Sequence, residues 1–402
     1  MMKLRKTLYS VICLMAGVCT LSGCIEEYEA DISASDSYLL VVEGTICSGK
    51  LNQFILSRTQ SVYSTEEAQM ETRAEVSVRG SDGSVFMTQE NDGCYTCWIG
   101  TLSPDVEYYL HIETDEDIYE SEPQRPMPTE GIADVRGVQD TPESSIDVLV
   151  TPEVPLESGR VNYYSWTYDE TWEVHSDYTT HMYFDMETMK AVFRANQFPE
   201  RGWKDASGST IMAGASSSYA GQHIQRLKIY DIDRGDERIY HRYSGLVHQR
   251  AITKAEYEYE LARSQAGSEM GGLFTPLPSA LPTNIRCLTS HKHVIGFVGC
   301  SLNTSDYRFF LNAADFSVYR PPMKDERVIF ENPSDSDCRQ LVGQGLYLCE
   351  WKDERMMPGG KLTTIWAYQR QLDVRYKGAY IIEPVFWPSE GDDGEQQSPE
   401  SH

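Results

Sequence analysis

The chain is short of basic residues relative to its acidic ones. It has 35 lysines and arginines against 61 aspartates and glutamates in 402 residues, which gives a formal charge of −26. Binding to nucleic acid requires clustered positive side chains, so this balance argues against a nucleic-acid partner. It also argues against adsorption to anionic lipid. The length suffices for two or three domains, and 40 % of the residues are hydrophobic.

The sequence also lacks the short motifs that mark common catalytic sites. No G-x-S-x-G, H-E-x-x-H, phosphate-binding loop or G-x-G-x-x-G is present. Acidic pairs are so frequent that no glycosidase-like pair of carboxylates stands out. We therefore expect that the protein is not an enzyme and that it carries no cofactor and no metal.

A third absence is a hydrophobic run long enough to span a bilayer. The N-terminus reads MMKLRK, then the short apolar run TLYSVICLMAGVCT, then LSGC ending at Cys24. This order predicts a signal peptide over residues 1–23 rather than a membrane-spanning helix. LSGC resembles the lipobox of bacterial lipoproteins, so Cys24 is the predicted lipidation site. The alternative is an ordinary signal peptide followed by an unrelated cysteine.

Residues 24–37 are predicted to tether the first domain to outer-membrane lipid through Cys24. Glu26 and Glu27 follow the anchor directly. They resemble the acidic export signal that sends Bacteroidetes lipoproteins to the outer face of the outer membrane. The alternative is a tether that is merely acidic. Several acyl chains on one cysteine anchor a protein stably, where a single chain would not.

Short apolar segments alternate with turns from residue 38 to residue 125. Runs such as YLLVVEGTI, AEVSVRG and VEYYLHIET are rich in β-branched and aromatic residues, and SDG, NDG and SPD separate the runs. About seven strands in roughly ninety residues predict an immunoglobulin-like or transthyretin-like sandwich over residues 38–125. The prolines of SEPQRPMPTEG predict a stiff linker over residues 121–131.

A second, larger β-sandwich-like domain of fibronectin type, with loop and helix insertions, is predicted over residues 129–318. In its segment NYYSWTYDETWEV, alternate aromatic residues share one face of a strand. Trp166, Trp172 and Tyr178 then have two readings. They form either a platform that stacks on carbohydrate or the aromatic inner face of a sandwich. The inner face is favoured, because sandwich cores need such a strand.

One helix and two long loops are predicted within this second domain. Residues 175–237 and 268–284 show little periodicity and predict loops. The segment ITKAEYEYELARSQAG predicts the helix, with Thr253 and Glu256 as a capping box and Gly267 at its end. Its predicted apolar stripe consists of Ile252, Ala255, Tyr259 and Ala262.

The C-terminal region is predicted to consist of an extension and a tail. The extension, residues 319–388, contains two cysteines and is expected to pack on the second domain. The tail, residues 389–402, is acidic and poor in apolar residues, which predicts disorder.

Taken in order, several segments resemble a known family, the Bacteroidetes lipoproteins grouped as domain of unknown function 4249. The segments are LSGC, YLLVVEGTI, AEVSVRGSDG, NDGCY, EYYLHIETDEDIYES, NYYSWTY, YSGLVHQRAITKAEYEYELARSQ, GGLFTPLPSALPTNI, VIGFVGCS and PVFWP. The resemblance implies an immunoglobulin-like N-terminal domain, a larger β-rich C-terminal part and an envelope location. It also implies frequent association with TonB-dependent outer-membrane transporters, and it supplies no catalytic residues.

Cys94 and Cys97 form a C-x-x-C, the spacing of redox dithiols and of half a zinc site. The turn NDG precedes Cys94, so a strand begins there rather than the helix whose N-terminus activates a redox thiol. On a strand the two thiols face opposite sides, and no second C-x-x-C supplies further zinc ligands. We therefore predict neither redox chemistry nor zinc binding at this motif.

Seven cysteines follow the anchor, and an oxidising compartment favours pairing of some of them. Cys338 and Cys349 enclose a short loop and are the preferred bridge. Cys47 with Cys94 or Cys97 is a second pairing. The odd count leaves at least one thiol free unless it pairs between chains.

Three further motifs suggest ligands only weakly. His291 and His293 share a strand face, but no third metal ligand is marked. The segment YDIDRGDE holds three aspartates, Asp231, Asp233 and Asp236, without the twelve-residue frame of a calcium loop. It also contains an Arg-Gly-Asp tripeptide, which recurs by chance.

These features predict a surface-exposed outer-membrane lipoprotein that binds rather than transforms. The first hypothesis is an accessory component of an envelope assembly, with a TonB-dependent β-barrel transporter as the partner. Such a protein should present an exposed apolar or aromatic patch. The second hypothesis is a glycan-binding or adhesive protein, which should expose Trp166 and Trp172. A hydrolase with an unusual site should show polar residues converging in a deep pocket.

Overall fold

The fold was obtained as a computed structural model. It describes residues 38–59, 69–154, 161–208, 211–267, 281–290, 292–322 and 324–388. The predicted signal peptide, tether and tail therefore lie outside the described residues, as does His291.

The described chain is mainly β-structure, as predicted. Its first strands are β1 (Leu40–Cys47), β2 (Lys50–Arg58), β3 (Gln69–Met70), β4 (Glu75–Gly80), β5 (Val85–Met87), β6 (Gln89–Asn91), β7 (Cys94–Ile99), β8 (Tyr108–Glu113) and β9 (Ile118–Ser121). The middle strands are β10 (Ile132–Val138), β11 (Ile146–Pro152), β12 (Tyr163–His175), β13 (Met182–Asp185), β14 (Lys190–Phe193), β15 (Arg201–Ser207), β16 (Met212–Ala215), β17 (Leu227–Ile232) and β18 (Arg242–Ile252). Helix α1 (Lys254–Gly267) follows, then β19 (Ile285–Cys287), β20 (Val294–Gly296), β21 (Gly299–Ser301), β22 (Ser305–Asn312), β23 (Val328–Glu331), α2 (Asp335–Gly343), β24 (Leu346–Asp353), β25 (Leu362–Tyr368) and α3 (Gln369–Leu372).

The first sandwich packs two sheets face to face around one apolar core. One sheet has the order β20-β1-β2-β7-β6, with β21 beside β1 and β3 beside β2, and the other has the order β19-β9-β8-β4-β5. Side chains from both sheets fill the core, among them Phe54, Val78 and Tyr95, each at most 1 % exposed. Alternating apolar residues produce this burial, because successive side chains of a strand point to opposite faces. The strands predicted between residues 38 and 125 are thus confirmed.

This sandwich also contains three strands from far along the chain, which the sequence assigned to the second domain. Strands β20 and β21 run parallel to β1, and β19 pairs antiparallel with β9. Residues 285–301 therefore belong to the first sandwich, and the predicted boundaries 38–125 and 129–318 need this correction. Parallel pairing at such separation leaves no local signal in the sequence, because parallel strands need a crossover rather than a hairpin.

Gly296 allows strand β20 to lie close against strand β1, with which it pairs in parallel. Its φ is +132°, and a Cβ placed on it would lie 2.1 Å from the carbonyl oxygen of Val42. Only glycine occupies such a position without a clash between the two strands.

The predicted stiff linker is held by hydrogen bonds along its length. Met127 donates its amide to the carbonyl of Cys300 at 3.0 Å and accepts from Leu302 at 2.8 Å. Thr129 and Asn303 exchange three further hydrogen bonds of 2.8–2.9 Å. The linker thus forms part of the joint between the sandwiches rather than a free spacer.

The second sandwich pairs a three-stranded sheet, β10-β11-β17, with a five-stranded sheet, β15-β12-β18-β22, where β16 also pairs with β12. Side chains of both sheets form a single core. Residues 175–237, predicted to carry long loops, instead contribute β13 to β17, because their strands are short and polar on one face.

Helix α1 confirms the predicted helix and only part of its predicted buried face. Thr253 Oγ1 accepts from the amide of Glu256 at 3.1 Å, as an N-cap should. The Glu256 carboxylate does not complete the capping box, because it pairs with Arg250 at 2.5 Å. Of the predicted stripe, Ile252 and Tyr259 are buried, Ala262 is half-buried and Ala255 is exposed. Glu256 and Glu260 are buried on the helix as well, so charged groups share the buried side with the apolar residues.

The C-terminal extension forms a third unit with an insertion from the second domain. Sheet β23-β25-β24 and hairpin β13–β14 share a small core in which Phe184 of the hairpin lies 6.0 Å from the Trp366 ring. Helix α2 was missed, although Ser334 and Asp337 form a full capping box at its start. The extension continues onto the second sandwich, where Val374 and Ala379 enter the core as predicted.

Candidate binding surface

The outer face of the five-stranded sheet is polar, in contrast to its inner face. On neighbouring strands it presents Asp205, Asp169, His248 and Arg308. His248 lies between two carboxylates, with Nδ1 at 2.8 Å from Asp306 and Nε2 at 3.1 Å from Asp169. The hydrogen bond with Asp306, and then the negative charges of both aspartates, raise the pKa of His248.

This cluster does not form a nucleophile–base pair. Ser207 donates to Asp169 at 2.6 Å rather than to His248. Both imidazole nitrogens are occupied by carboxylates, so the ring has no free position to accept a proton from a hydroxyl. The arrangement suits a fixed, charged surface.

A closing segment, residues 379–388, crosses this polar face. At one end Tyr380 pairs with Trp203 through two main-chain hydrogen bonds of 2.8 and 2.9 Å. The Tyr380 hydroxyl donates to Asp205 at 2.9 Å. Burial, and then the Asp205 carboxylate, raise the pKa of Tyr380 to about 12, so this hydroxyl stays protonated.

Aromatic contacts fix the other end of the closing segment. Phe386 lies over the guanidinium of Arg308, 3.5 Å from its ring centroid. Trp387 is buried and packs edge-on against Trp203 and Phe310, with centroids 6.1 and 5.8 Å apart. Cation–π and edge-to-face contacts of this kind hold a segment in place without regular secondary structure.

Between these anchors the closing segment turns apolar side chains to solvent. Ile381 is 48 % exposed, Ile382 79 %, and Val385 fully exposed. We call these three residues the apolar tip. The sequence singled out PVFWP only as part of a family resemblance, and the alternation of anchors and exposed residues could not be read from it.

Comparison with protein families identifies the chain. The family model described as Domain of unknown function (DUF4249) matches residues 25–306. The chain belongs to the DUF4249 family. No curated protein matches the chain. Among solved structures, it is similar to the crystal structure of chicken CNTN1 FN1-FN3 domains at 14 % identity and a TM-score of 0.16. The match covers 53 % of this chain and 59 % of the chicken chain. A TM-score this low does not establish a shared fold.

The DUF4249 match ends within β22, so the closing segment lies outside it. The predicted lipidation site Cys24 and export residues Glu26 and Glu27 lie outside the described residues. No helix in the described ranges is both long and apolar enough to cross a membrane.

The aromatics proposed as a carbohydrate platform are mostly core residues. Trp166 is 1 % exposed and donates through its indole nitrogen to Gln249 at 2.9 Å, and Trp172 is 8 % exposed. Tyr178 is half-buried, donates its hydroxyl to Asp325 at 2.9 Å and lies beneath Arg327. The favoured interpretation, the aromatic inner face of a sandwich, is therefore confirmed for both tryptophans, and the platform alternative does not hold for them.

The C-x-x-C lies on strand β7, with Cys97 buried and Cys94 on the opposite, half-buried face. Burial raises the pKa of Cys97, which makes its thiol less reactive. The predicted strand with its two thiols on opposite faces is thus confirmed, whereas the absence of zinc binding and of redox chemistry stays a prediction.

The predicted disulfides are absent among the described cysteines, all of which are free thiols. Cys338 is buried in α2, whereas Cys349 occupies a bulge of β24 with its sulfur 3.6 Å from the carbonyl of Tyr347. Burial raises the pKa of Cys349 to about 11. Strand β2 lies between β1, which carries Cys47, and β7, which carries Cys94 and Cys97. Two strand spacings together amount to about 9.5 Å, which is more than a disulfide can bridge.

The remaining ligand candidates are engaged within the fold. Asp231 pairs with Lys228 at 3.1 Å, Asp233 accepts from the Gly235 amide at 2.7 Å, and Asp236 binds Arg238. The Arg-Gly-Asp carboxylate is therefore already occupied. Across the described ranges, no group of three or more His, Cys, Asp and Glu residues could hold a metal ion.

Proposed function

We propose that this chain is a lipid-anchored, surface-exposed outer-membrane protein that acts by binding another envelope protein. The observation that carries the proposal is the exposed apolar tip, which lies between two fixed residues, the hydrogen-bonded Tyr380 and the buried Trp387. Burying one such isoleucine or valine stabilises a complex by about 1.5–3 kcal/mol. Because Tyr380 and Trp387 already fix the segment, little conformational entropy is lost when a partner covers it.

The resemblance described for the sequence supplies the partner class, a TonB-dependent β-barrel transporter. The tether, residues 24–37, comprises fourteen residues including Cys24 and spans at most about 50 Å when fully extended. An anchored protein searches for its partner in two dimensions at high effective concentration, so even a modest apolar contact is occupied.

The glycan-binding alternative loses its main support. It required exposed tryptophans, and Trp166 and Trp172 both lie in the core. No other described feature favours it over protein contact.

Site-specific photo-crosslinking in intact cells tests the interface. A photoreactive residue at Ile382 or Val385 should crosslink a β-barrel partner, whereas one at Glu143, exposed in the turn between β10 and β11, should not. Ile382→Glu should remove the crosslink from position 385 while leaving the unfolding midpoint unchanged. Equal crosslinking at positions 143 and 385 would refute the proposal.

The anchor and its orientation are tested separately. Cys24→Ala should release the protein from the membrane fraction into the soluble periplasmic fraction. Protease added to intact cells should degrade the wild-type protein, and replacing both Glu26 and Glu27 by alanine should reduce this degradation without loss of membrane attachment. Continued attachment of Cys24→Ala would refute the lipid anchor.

A further inference from the structure

An open cavity of about 570 Å³ lies beyond the end of strands β18 and β22, apart from the apolar tip. His241 and Arg242 form one wall, and Asn312 with the following turn forms another. The amide of Ala313 donates to the carbonyl of His241 at 2.8 Å, which joins the two walls. The cavity is therefore part of the sheet framework rather than a gap between loops.

Two arginines of this cavity, Arg242 and Arg320, have no acidic partner among the described residues. Other arginines of the chain are neutralised in ion pairs, as Arg58 is by Glu71 and Arg238 by Glu170. Within the described residues, Arg242 and Arg320 bind only neutral oxygens, and neither has a carboxylate partner.

Both guanidinium groups are nevertheless held in position. Arg242 donates through Nε to the amide oxygen of Asn312 at 2.8 Å. Arg320 donates to the main-chain carbonyl of Tyr240 and lies 5.7 Å from the centroid of the Tyr240 ring. Each guanidinium has five N–H donors in a planar fork, so most remain for a ligand.

The acidic residue in the cavity wall does not neutralise these arginines. Glu173 binds His175 through one carboxylate oxygen and Arg201 through the other, at 3.0 Å. His241 stacks on His175 with centroids 3.7 Å apart. Burial, and then the positive charges of His175 and Arg320, lower the pKa of His241 to about 4. The cavity thus combines two fixed positive charges with a neutral imidazole.

We propose that this cavity binds a small organic carboxylate. Its planar head accepts hydrogen bonds from the forks of Arg242 and Arg320, the geometry in which guanidinium and carboxylate match. Its apolar body lies against Tyr240, Phe316 and Val318, which line the same cavity. Arg242 also donates through Nη1 to the carbonyl of Pro388 at 3.5 Å, so the cavity adjoins the end of the closing segment. The test therefore uses Arg320, whose hydrogen bond and ring contact, both with Tyr240, do not involve that segment.

The test is a titration of the full-length protein, at low salt and pH 7, followed by the imidazole NMR signal of His241. Benzoate should shift this signal saturably, whereas neutral benzamide should not. Arg320→Gln removes an exposed charge and should weaken benzoate binding about tenfold, the loss expected for one charge-assisted hydrogen bond. Arg339→Gln, an exposed arginine of α2, is the matched control and should bind as the wild type does.

Three results with benzoate, benzamide and the variant would overturn the proposal. They are the absence of a saturable shift with benzoate up to about 50 mM, an equal shift with benzamide, and unchanged binding in Arg320→Gln. Inorganic phosphate and phenyl phosphate identify the head group. Tighter binding of either than of benzoate would replace the carboxylate by a phosphate and refute the proposal as stated. Because Arg320 is exposed, unfolding midpoints should agree between the variants.

Discussion

The two sandwiches share an architecture but are stabilised differently. The first has an apolar core closed by strands from residues 285–301. The second buries charged groups within its sheet, including Glu170 at 5 % and Glu173 at 8 % exposure. The first therefore depends on a distant part of the chain completing its sheets. The second depends on complete pairing of its polar groups, because an unpaired buried charge is costly.

Glu170 lies at the centre of the buried network. Its carboxylate accepts from Arg238 at 2.7 Å and from the Tyr243 hydroxyl at 2.9 Å, and Tyr243 bonds Tyr230 at 2.7 Å. Burial alone would lower the pKa of Arg238, but Asp236 and Glu170 outweigh it and raise that pKa. Both tyrosine hydroxyls and both terminal nitrogens of Arg238 have acceptors, so the network favours one arrangement of the sheet.

The largest effect on stability is expected at Gly296, where β20 pairs with β1 in the first sandwich. Gly296→Ala places a methyl group against the Val42 carbonyl at a backbone angle that L-residues rarely adopt. We expect a loss of about 3–5 kcal/mol in unfolding free energy. Hydrogen exchange should accelerate in β1 and β20 and remain slow in β12 and β18.

Gly343→Ala is the matched control, because nothing lies within 4 Å of its added methyl group. It lies in helix α2 and should stabilise by about 0.5–1 kcal/mol. Equal acceleration of exchange in both sandwiches of Gly296→Ala would show that the two unfold as one unit.

The second prediction concerns the second sandwich, whose buried network of hydrogen bonds it breaks. Glu170→Gln keeps the shape of the side chain but leaves Arg238 and Tyr243 incompletely paired. We expect the free energy of unfolding to fall by about 3 kcal/mol. Amide hydrogen exchange should become faster in β12 and β18 and stay unchanged in β1. In Asp134→Asn, which removes the half-exposed pair with Arg136, the loss should stay below about 1 kcal/mol. Similar losses in the two variants would contradict this account.

Much of the first sandwich was predictable because its strands alternate cleanly. YLLVVEGTI and AEVSVRG need no distant information to become β1 and β4. The return of VIGFVGCS to pair with β1 was not predictable, because strand partners far apart in sequence are chosen by tertiary packing.

The binding surfaces were less predictable. Trp166 and Val385 are both apolar residues in aromatic segments, yet one is buried and the other fully exposed. Their exposure depends on which segment covers which sheet face. The cavity with Arg242 and Arg320 was missed because the two residues are 78 positions apart, and only the pairing of β18 with β22 brings them together.

The third prediction concerns the two faces of strand β7. Cys97→Ser puts a hydroxyl into the apolar core and should cost about 1–3 kcal/mol. Cys94→Ser, on the opposite face, should change stability by less than about 0.5 kcal/mol. Chemical denaturation under reducing conditions measures both. Equal losses would show that the thiols share an environment.

The smallest effect is expected from pH acting on His248. A raised pKa in the folded state stabilises the fold fully below the unfolded histidine pKa of about 6.5. This stabilisation is lost as pH rises through the higher folded-state pKa. The free energy of unfolding of the wild type should thus exceed that of His248→Asn by about 1 kcal/mol or less at pH 6, and by a smaller amount at pH 9. A difference that grows with pH would have the wrong sign. His241, with a pKa of about 4, titrates below this window.

The late strands of the first sandwich set an order for biogenesis. A chain synthesised from its N-terminus delivers β1 to β9 long before β19 to β21. Until residue 301 is available, β1 keeps an open edge and the apolar core lacks part of its wall. Such edges recruit other strands, so the incomplete domain is exposed to wrong pairing until its last strands arrive. The sandwich that is synthesised first is therefore completed only after most of its neighbour has arrived.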